Sequence, residues 1–182
     1  MQQSIYTRQG DRGATSVGDG RPVSKSSHVV RALGALDEAA ACLGVLAARR
    51  EPLASVTRER LCQAQRDLAL VCALLASLPR EPERAVAWDD VRALEHEIDV
   101  WTGELPPLRE FVLPGGTPEA ALLHVARTVV RRAERETVAF AEAELGVAPA
   151  PPSVECALAY LNRLSDWLFT AARVANLRGE AC

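Results

Sequence analysis

The chain has 182 residues and a formal net charge of −3, and none of its apolar runs approaches the roughly 18–20 residues a membrane span needs. That length suits one domain with a substantial core, and the near-neutral balance supplies no global basic field for nucleic acid, so any anion site must be local. Aromatic residues make up only 4% of the chain while Ala and Leu abound, which favours close-packed helices over sheets.

The first 25 residues do not read as helical. Gly10, Gly13, Gly18, Gly20 and Pro22 punctuate a polar stretch, and the opening MQQSIYTRQGDRG has neither a secretory signal nor the character of a transit peptide. Within it, TRQGDRGATS (residues 7–16) is a Gly-spaced loop bearing Thr7, Arg8, Arg12, Thr15 and Ser16, followed by Lys25. It reads either as a plain glycine turn or as a cradle whose backbone N–H groups and hydroxyls meet a polyphosphate.

Helical periodicity starts after this segment. A first helix is predicted over about residues 27–50, with an apolar stripe from Val30 to Leu46 and Asp37 set among Ala and Leu in GALDEA. Burial of that carboxylate without a partner is costly, so Asp37 is either exposed or paired with an arginine. A second helix, about residues 56–78, is strongly apolar in its latter half and reads as central. A third, WDDVRALEHEIDVWTGEL, is more polar, reads as peripheral, and is stopped by Pro106-Pro107.

The fourth helix has a clear start. Thr117 is a good N-cap, Pro118 occupies the first helical position, and Gly146 marks the end. Four arginines fall within nine positions of it, from Arg127 to Arg135. At about 100° per residue, His124, Arg127, Arg131, Glu134 and Arg135 share one face, while Leu122, Val125, Ala126, Val129, Ala133 and Phe140 share the other. The pairs Arg127/Arg131 and Arg131/Arg135 each cost an isolated helix about 0.2–0.5 kcal/mol, a cost that a polyanion or a partner carboxylate reverses. A last helix is predicted over about residues 154–176, with Asn162, Arg163 and Asp166 forming a polar patch in LNRLSDWLF. The pattern as a whole is an all-α bundle of four or five helices with a non-helical N-terminal segment, and it carries no internal repeat.

Several standard sites fail on their residues. Gly13 to Gly18 has the spacing of a phosphate-binding P-loop, but Asp19 stands where its lysine belongs. None of His28, His96 and His124 has a glutamate three residues before it, as a di-iron bundle requires, and neither G-x-S-x-G nor H-E-x-x-H is present. The five cysteines (Cys42, Cys62, Cys72, Cys156 and Cys182) are odd in number and lack C-x-x-C spacing. They argue for packing roles in a reducing cytoplasm rather than for disulfides or zinc.

Four elements in order, IYTRQGDRGATS, GALDEA, FVLPGG followed by ARTVVRRAER, and YLNRLSDWLFTAAR, span residues 5–173 and are jointly specific. The chain resembles the ATP:cob(I)alamin adenosyltransferases of the propanediol-utilisation (PduO) type. It departs from their usual G-x-x-D-E-L-N-S by reading GALDEAAAC, with Ala39, Ala40 and Ala41 in place of larger or polar residues.

The resemblance implies one domain over residues 1–182. Residues 1–25 would be the nucleotide-binding segment and residues 26–177 a five-helix bundle, assembled as a homotrimer with active sites between subunits. The implied substrates are ATP with Mg2+ and cobalamin, and the implied partners are a cobalt reductase and an adenosylcobalamin-dependent enzyme. By motif, Thr7, Arg8, Gln9, Gly10, Thr15, Ser16 and Lys25 would cradle the triphosphate. Arg131, Arg132, Glu134, Arg135 and Asn162 would complete the ATP site, and Asp37 would pair with Arg131 across the subunit interface. Phe111 would sit under the corrin ring and displace the lower axial ligand. The motif gives His124 and Arg127 no role. Cobalt(I) would itself be the nucleophile, which agrees with the lack of a recognisable nucleophile–base pair.

Overall fold

The computed structural model describes residues 6, 8, 10–18, 20–49, 53, 55–146 and 150–179. Five helices carry the fold: α1 (His28–Ala47), α2 (Arg58–Ser77), α3 (Trp88–Glu104), α4 (Pro118–Leu145) and α5 (Pro152–Gly179). Ahead of them, β1 (Ala14–Ser16) and β2 (Pro22–Ser24) pair antiparallel, with Thr15 opposite Val23. This small hairpin is the one regular element that sequence periodicity does not reveal, since three-residue strands are too short to show a pattern.

Side by side, the helices run α2, α1, α4, α5, α3, with a lighter contact between α2 and α5. The bundle's centre is therefore α4 and α5 rather than α2, which packs mainly on α1. Helix α5 buries the large side chains Tyr160, Leu161, Leu164, Trp167 and Leu168. Helix α3 contributes only Val91 and Leu94 as buried residues and leans mainly on α5, the peripheral place its polarity implies.

Local chemistry sets the ends. Thr117 accepts a hydrogen bond from Ala120 N at 3.1 Å, so the N-cap of α4 lies where the Thr-Pro pair puts it. Glu119, buried in the first turn, accepts from both the backbone N–H (3.0 Å) and the hydroxyl (2.6 Å) of Ser55, tying the segment before α2 to the start of α4.

Polar bonds also cross the core. Asp67 is 2% exposed, and its two oxygens accept from Tyr160 Oη and Gln63 Nε2, both at 2.8 Å. Burial and the neighbouring carboxylate push the Tyr160 phenol well above its usual range, so it stays a donor. On the α3 side, Trp167 Nε1 donates to Glu97 (2.7 Å), which also faces Arg60 Nε at 2.8 Å. Arg163, read in sequence as part of a polar patch, bridges Asp166 (2.6 Å) and Glu95 of α3 (3.1 Å).

The described cysteines are free, with Cys156 buried and Cys42, Cys62 and Cys72 half-buried. Burial pushes the Cys72 thiol up to about 11, with Asp37 adding to the shift, which suits a packing residue. Among the described residues no helix is long and apolar enough to cross a membrane.

Tyr160→Phe leaves one oxygen of a buried carboxylate without its donor, and is expected to cost about 1–3 kcal/mol of stability. Urea unfolding of the variant against the parent checks this; equal midpoints would show that Asp67 does not need the phenol.

Candidate functional site

The N-terminal segment is held by backbone bonds. Gly13 N donates to Gly10 O (3.3 Å), Lys25 N donates to Gly13 O (2.9 Å), and Gly13 has φ +81, so residues 10–13 close a tight turn. Gly18 N donates to Ala76 O at 3.1 Å, and a Cβ on Gly18 would stand 2.9 Å from that oxygen. This pins the hairpin to the last turn of α2.

Lys25 folds back over the turn. A Cβ on Gly10 would lie 3.1 Å from its ammonium, so glycine lets the lysine approach the backbone of the turn closely. Arg8, at φ +61, is exposed, and its guanidinium stands 5.5 Å from the centre of the Tyr6 ring. Thr15 is half-buried in β1 and Ser16 is exposed beside it. The structure thus gathers Arg8, Gly10, Thr15, Ser16 and Lys25 in one small element. Thr7 and Gln9 lie outside the described residues.

On α4 the arginines divide by partner. Arg132 is ion-paired with Glu38 of α1. Glu134 accepts from Asn162 Nδ2 of α5 at 3.0 Å, so the two sequence-predicted residues meet. Arg135 turns back on its own helix and donates to Arg131 O at 3.0 Å. The next residue, Glu136, is paired with Arg31 of α1 at 2.9 Å. Arg131 is exposed, and among the described residues its guanidinium has no hydrogen bond or ion pair. Asp37 is likewise exposed, and it forms no ion pair with Arg131 within the chain.

Phe111 stands on the connection between α3 and α4 and is 86% exposed. With Leu108, Val112, Arg127 and Phe169 it lines an open cavity of about 250 Å³. Arg127 therefore belongs to the Phe111 end of α4, its guanidinium 6.0 Å from the centre of the Phe169 ring and its Nε buried without a hydrogen-bond partner. Its (i, i+4) relation to Arg131 was visible in the sequence, but its cavity was not, because Phe169 reads there only as part of an apolar surround.

Two side chains depart from the helical-wheel reading. His124, placed with the arginines, is 3% exposed, and Val125, placed with the core, is 52% exposed. The first turns of α4 pack sideways against Phe169 of α5, whose ring centre is 6.1 Å from that of His124, so the exposed strip shifts by about one residue. Both His124 nitrogens are buried without hydrogen-bond partners. Burial, reinforced by the Arg127 charge, holds its pKa below the ordinary value.

From Arg127 to Arg135 is eight residues, about 12 Å of axial rise. One strip of α4 thus joins an apolar cavity to a column of guanidinium groups. The family model described as "Cobalamin adenosyltransferase" matches residues 5–175. The chain belongs to the cobalamin adenosyltransferase family.

The corrinoid adenosyltransferase of Mycobacterium tuberculosis (strain H37Rv) is 42% identical over 97% of this chain and 90% of its own length. That of Bacillus subtilis is 38% identical over 96% and 87%. Among solved structures, a phenylalanine-to-alanine variant of the PduO-type ATP:corrinoid adenosyltransferase from Lactobacillus reuteri, complexed with cobalamin and ATP, superposes with a TM-score of 0.86. It is 32% identical, covering 97% of this chain and 96% of that one. The five-helix bundle expected from the resemblance is the fold observed. Among the described residues no group of three or more His, Cys, Asp or Glu side chains is placed to hold a metal ion.

The depressed His124 pKa gives a signed expectation. The unfolded chain binds this proton more readily, so the contribution is complete above about pH 6.5 and is lost as pH falls towards the lower folded-state value. Denaturant unfolding between pH 7.5 and pH 5 should show this loss in the parent and a flatter dependence in His124→Gln. Identical pH profiles would contradict the assignment.

Proposed function

We propose that this chain transfers the 5′-deoxyadenosyl group of ATP to the cobalt of cob(I)alamin, releasing adenosylcobalamin and triphosphate. The observation that carries the reading is the single strip of α4, with the Phe111 cavity at one end and the unpaired Arg131 guanidinium beyond it. Cobalt(I) supplies an electron pair to C5′, the Co–C bond forms, and the C5′–O bond breaks with its electrons leaving on triphosphate. Cobalt passes formally from I to III, so no protein nucleophile is required.

The protein's tasks are orientation and charge. Gly10, Thr15, Ser16, Arg8 and Lys25, with Thr7 and Gln9, offer backbone amides, hydroxyls and cations to the triphosphate, which arrives with Mg2+. Arg131 and Arg135 face the growing negative charge, where preorganised donors are most effective. Asn162 and Glu134, already bonded to each other, suit the polar edge of the nucleoside. Arg132 is held by Glu38 and enters the site as part of that pair. At the other end, Phe111 lies under the corrin, excludes the lower axial base, and leaves cobalt four-coordinate. Phe169 and Arg127 close the same cavity.

The functional unit of this reading is a cytoplasmic homotrimer of single-domain subunits, with Asp37 of one subunit pairing with Arg131 of its neighbour. The support is chemical: among the described residues the exposed Asp37 carboxylate and the exposed Arg131 guanidinium have no ion pair, and pairing would fix Arg131 against the triphosphate. A cobalt reductase would supply cob(I)alamin, and an adenosylcobalamin-dependent enzyme would receive the product.

An anaerobic assay with cob(I)alamin, ATP and Mg2+ tests the activity directly, and no turnover under strong reduction would sink it. Arg131→Ala should lower kcat by about 10²–10³-fold while trimers still form, since it removes charge stabilisation in the transition state. Dissociation to monomers would instead mark Arg131 as an assembly residue. Phe111→Ala should reduce turnover far more than ATP affinity, and a pure loss of ATP binding would refute the wedge.

A further inference from the structure

A side chain that is 86% exposed has little packing of its own, so where Phe111 stands depends on the backbone that carries it. The connection from α3 to α4 contains Pro106, Pro107, Pro114, Gly115 and Gly116 and no regular structure. Two side chains of α5 hold it. Arg173 donates to Pro106 O at its beginning. Asn176 closes its end twice over, with Nδ2 donating to Gly115 O at 3.0 Å and Oδ1 accepting from Thr117 N at 2.8 Å. Because Thr117 N–H only donates and the Gly115 carbonyl only accepts, the amide has one workable orientation.

The second bond fills a gap in the helix start. In a capping box, an acidic or amide side chain at the third helical position accepts from the N-cap N–H. Here that position is Ala120, which has nothing to offer, and Glu119 before it is committed to Ser55. The missing acceptor comes from Asn176 instead, so the start of α4 and the end of the Phe111 loop share one amide. The fit is close. Gly116 has φ +97, and a Cβ there would stand 2.1 Å from Asn176 Oδ1. Phe111 lies between the two anchors, five residues after Pro106 and four before Gly115.

We propose that Asn176, aided by Arg173, is a positioning residue for the corrinoid half of the reaction: it sets the depth at which Phe111 enters the space below the corrin. This rests on the wedge reading of Phe111. Neither α5 side chain touches substrate; both act through the loop backbone. The nucleotide half of the site does not depend on them, since the N-terminal hairpin is anchored on α2, and Asn162 lies almost four helical turns away along α5.

The test uses the full-length protein as Asn176→Ala, Asn176→Asp and Phe111→Ala. Three quantities are measured: ATP Kd by calorimetry, the four-coordinate fraction of bound cob(II)alamin by electron paramagnetic resonance, and kcat in the anaerobic assay. Asn176→Ala should keep the parent's circular dichroism and an ATP Kd within about twofold. Its four-coordinate fraction should fall well below the parent's and its kcat by on the order of 10-fold or more, as expected when a reacting geometry loosens. Asn176→Asp retains the acceptor for Thr117 N but not the donor to Gly115 O, so it should fold as the parent does and fall between the two. It also carries the test should the alanine variant not fold.

Parent-like four-coordinate yield in both Asn176 variants, with Phe111→Ala defective, overturns the inference and leaves the wedge intact. Parent-like yield in Phe111→Ala overturns the wedge itself. Loss of ATP binding in Asn176→Asp in step with the corrinoid signal would show a general structural role and also overturn the inference.

Discussion

Helix α4 has to bury two flanks and leave a strip of positive charge in water, and that constraint organises the molecule. It lies between α1 and α5, so Ala126, Val130 and Ala133 face neighbours while Arg131 and Arg135 cannot follow them inside. Glu38 of α1 relieves part of the repulsion by taking Arg132, while Glu136 of α4 is itself taken by Arg31 of the facing helix. Both pairs are largely solvent-exposed, so each contributes little to stability. Their effect is geometric. They hold two flanking charges in fixed directions, while Arg127, Arg131 and Arg135 have no ion pair among the described residues.

An unpaired, exposed guanidinium is cheap in water and valuable when a water-excluding ligand arrives. Bound ATP and corrinoid would lower the local dielectric, which strengthens the attraction between Arg131 and a departing triphosphate. The chemistry asks for little else. A metal-centred nucleophile removes the need for a base and for proton transfer, so the site can be assembled from arginines, glycine backbone and an aromatic side chain. In the proposed reading the two halves of the site use different building materials, a hydrogen-bonded hairpin for phosphate and a largely apolar cavity for the corrinoid.

Helix positions were legible because their signals are local. Thr117-Pro118 and Gly146 mark α4 to the residue, and Pro106-Pro107 stop α3 where the structure ends it. The candidate site residues come from a motif rather than from periodicity, and the structure joins Glu134 to Asn162 and places Lys25 beside the Gly10 turn. What periodicity could not give is whatever depends on a neighbouring element. His124 falls among the arginines on a helical wheel, yet it is buried beside Phe169, and Val125, which falls with the core, is exposed. The hairpin escaped because its strands are three residues long. Asn176 escaped because its partners lie 59 and 61 residues away.

Helix α5 links these pieces, and the spacing of its polar residues explains how. Asn162 turns towards Glu134 on α4, Arg163, which also holds Asp166, towards Glu95 on α3, and Arg173 and Asn176 towards the connection between those two helices. Between them lie Leu164, Trp167, Leu168 and Ala171, all buried. A rigid, apolar helix thus carries polar contacts to both ends of the candidate site. Displacing α5 along its axis would disturb the nucleotide contact and the Phe111 loop together, whereas changing one amide disturbs only one of them. Coupling between the two halves is therefore carried by the packed core, and independence between them by the side chains that project from it.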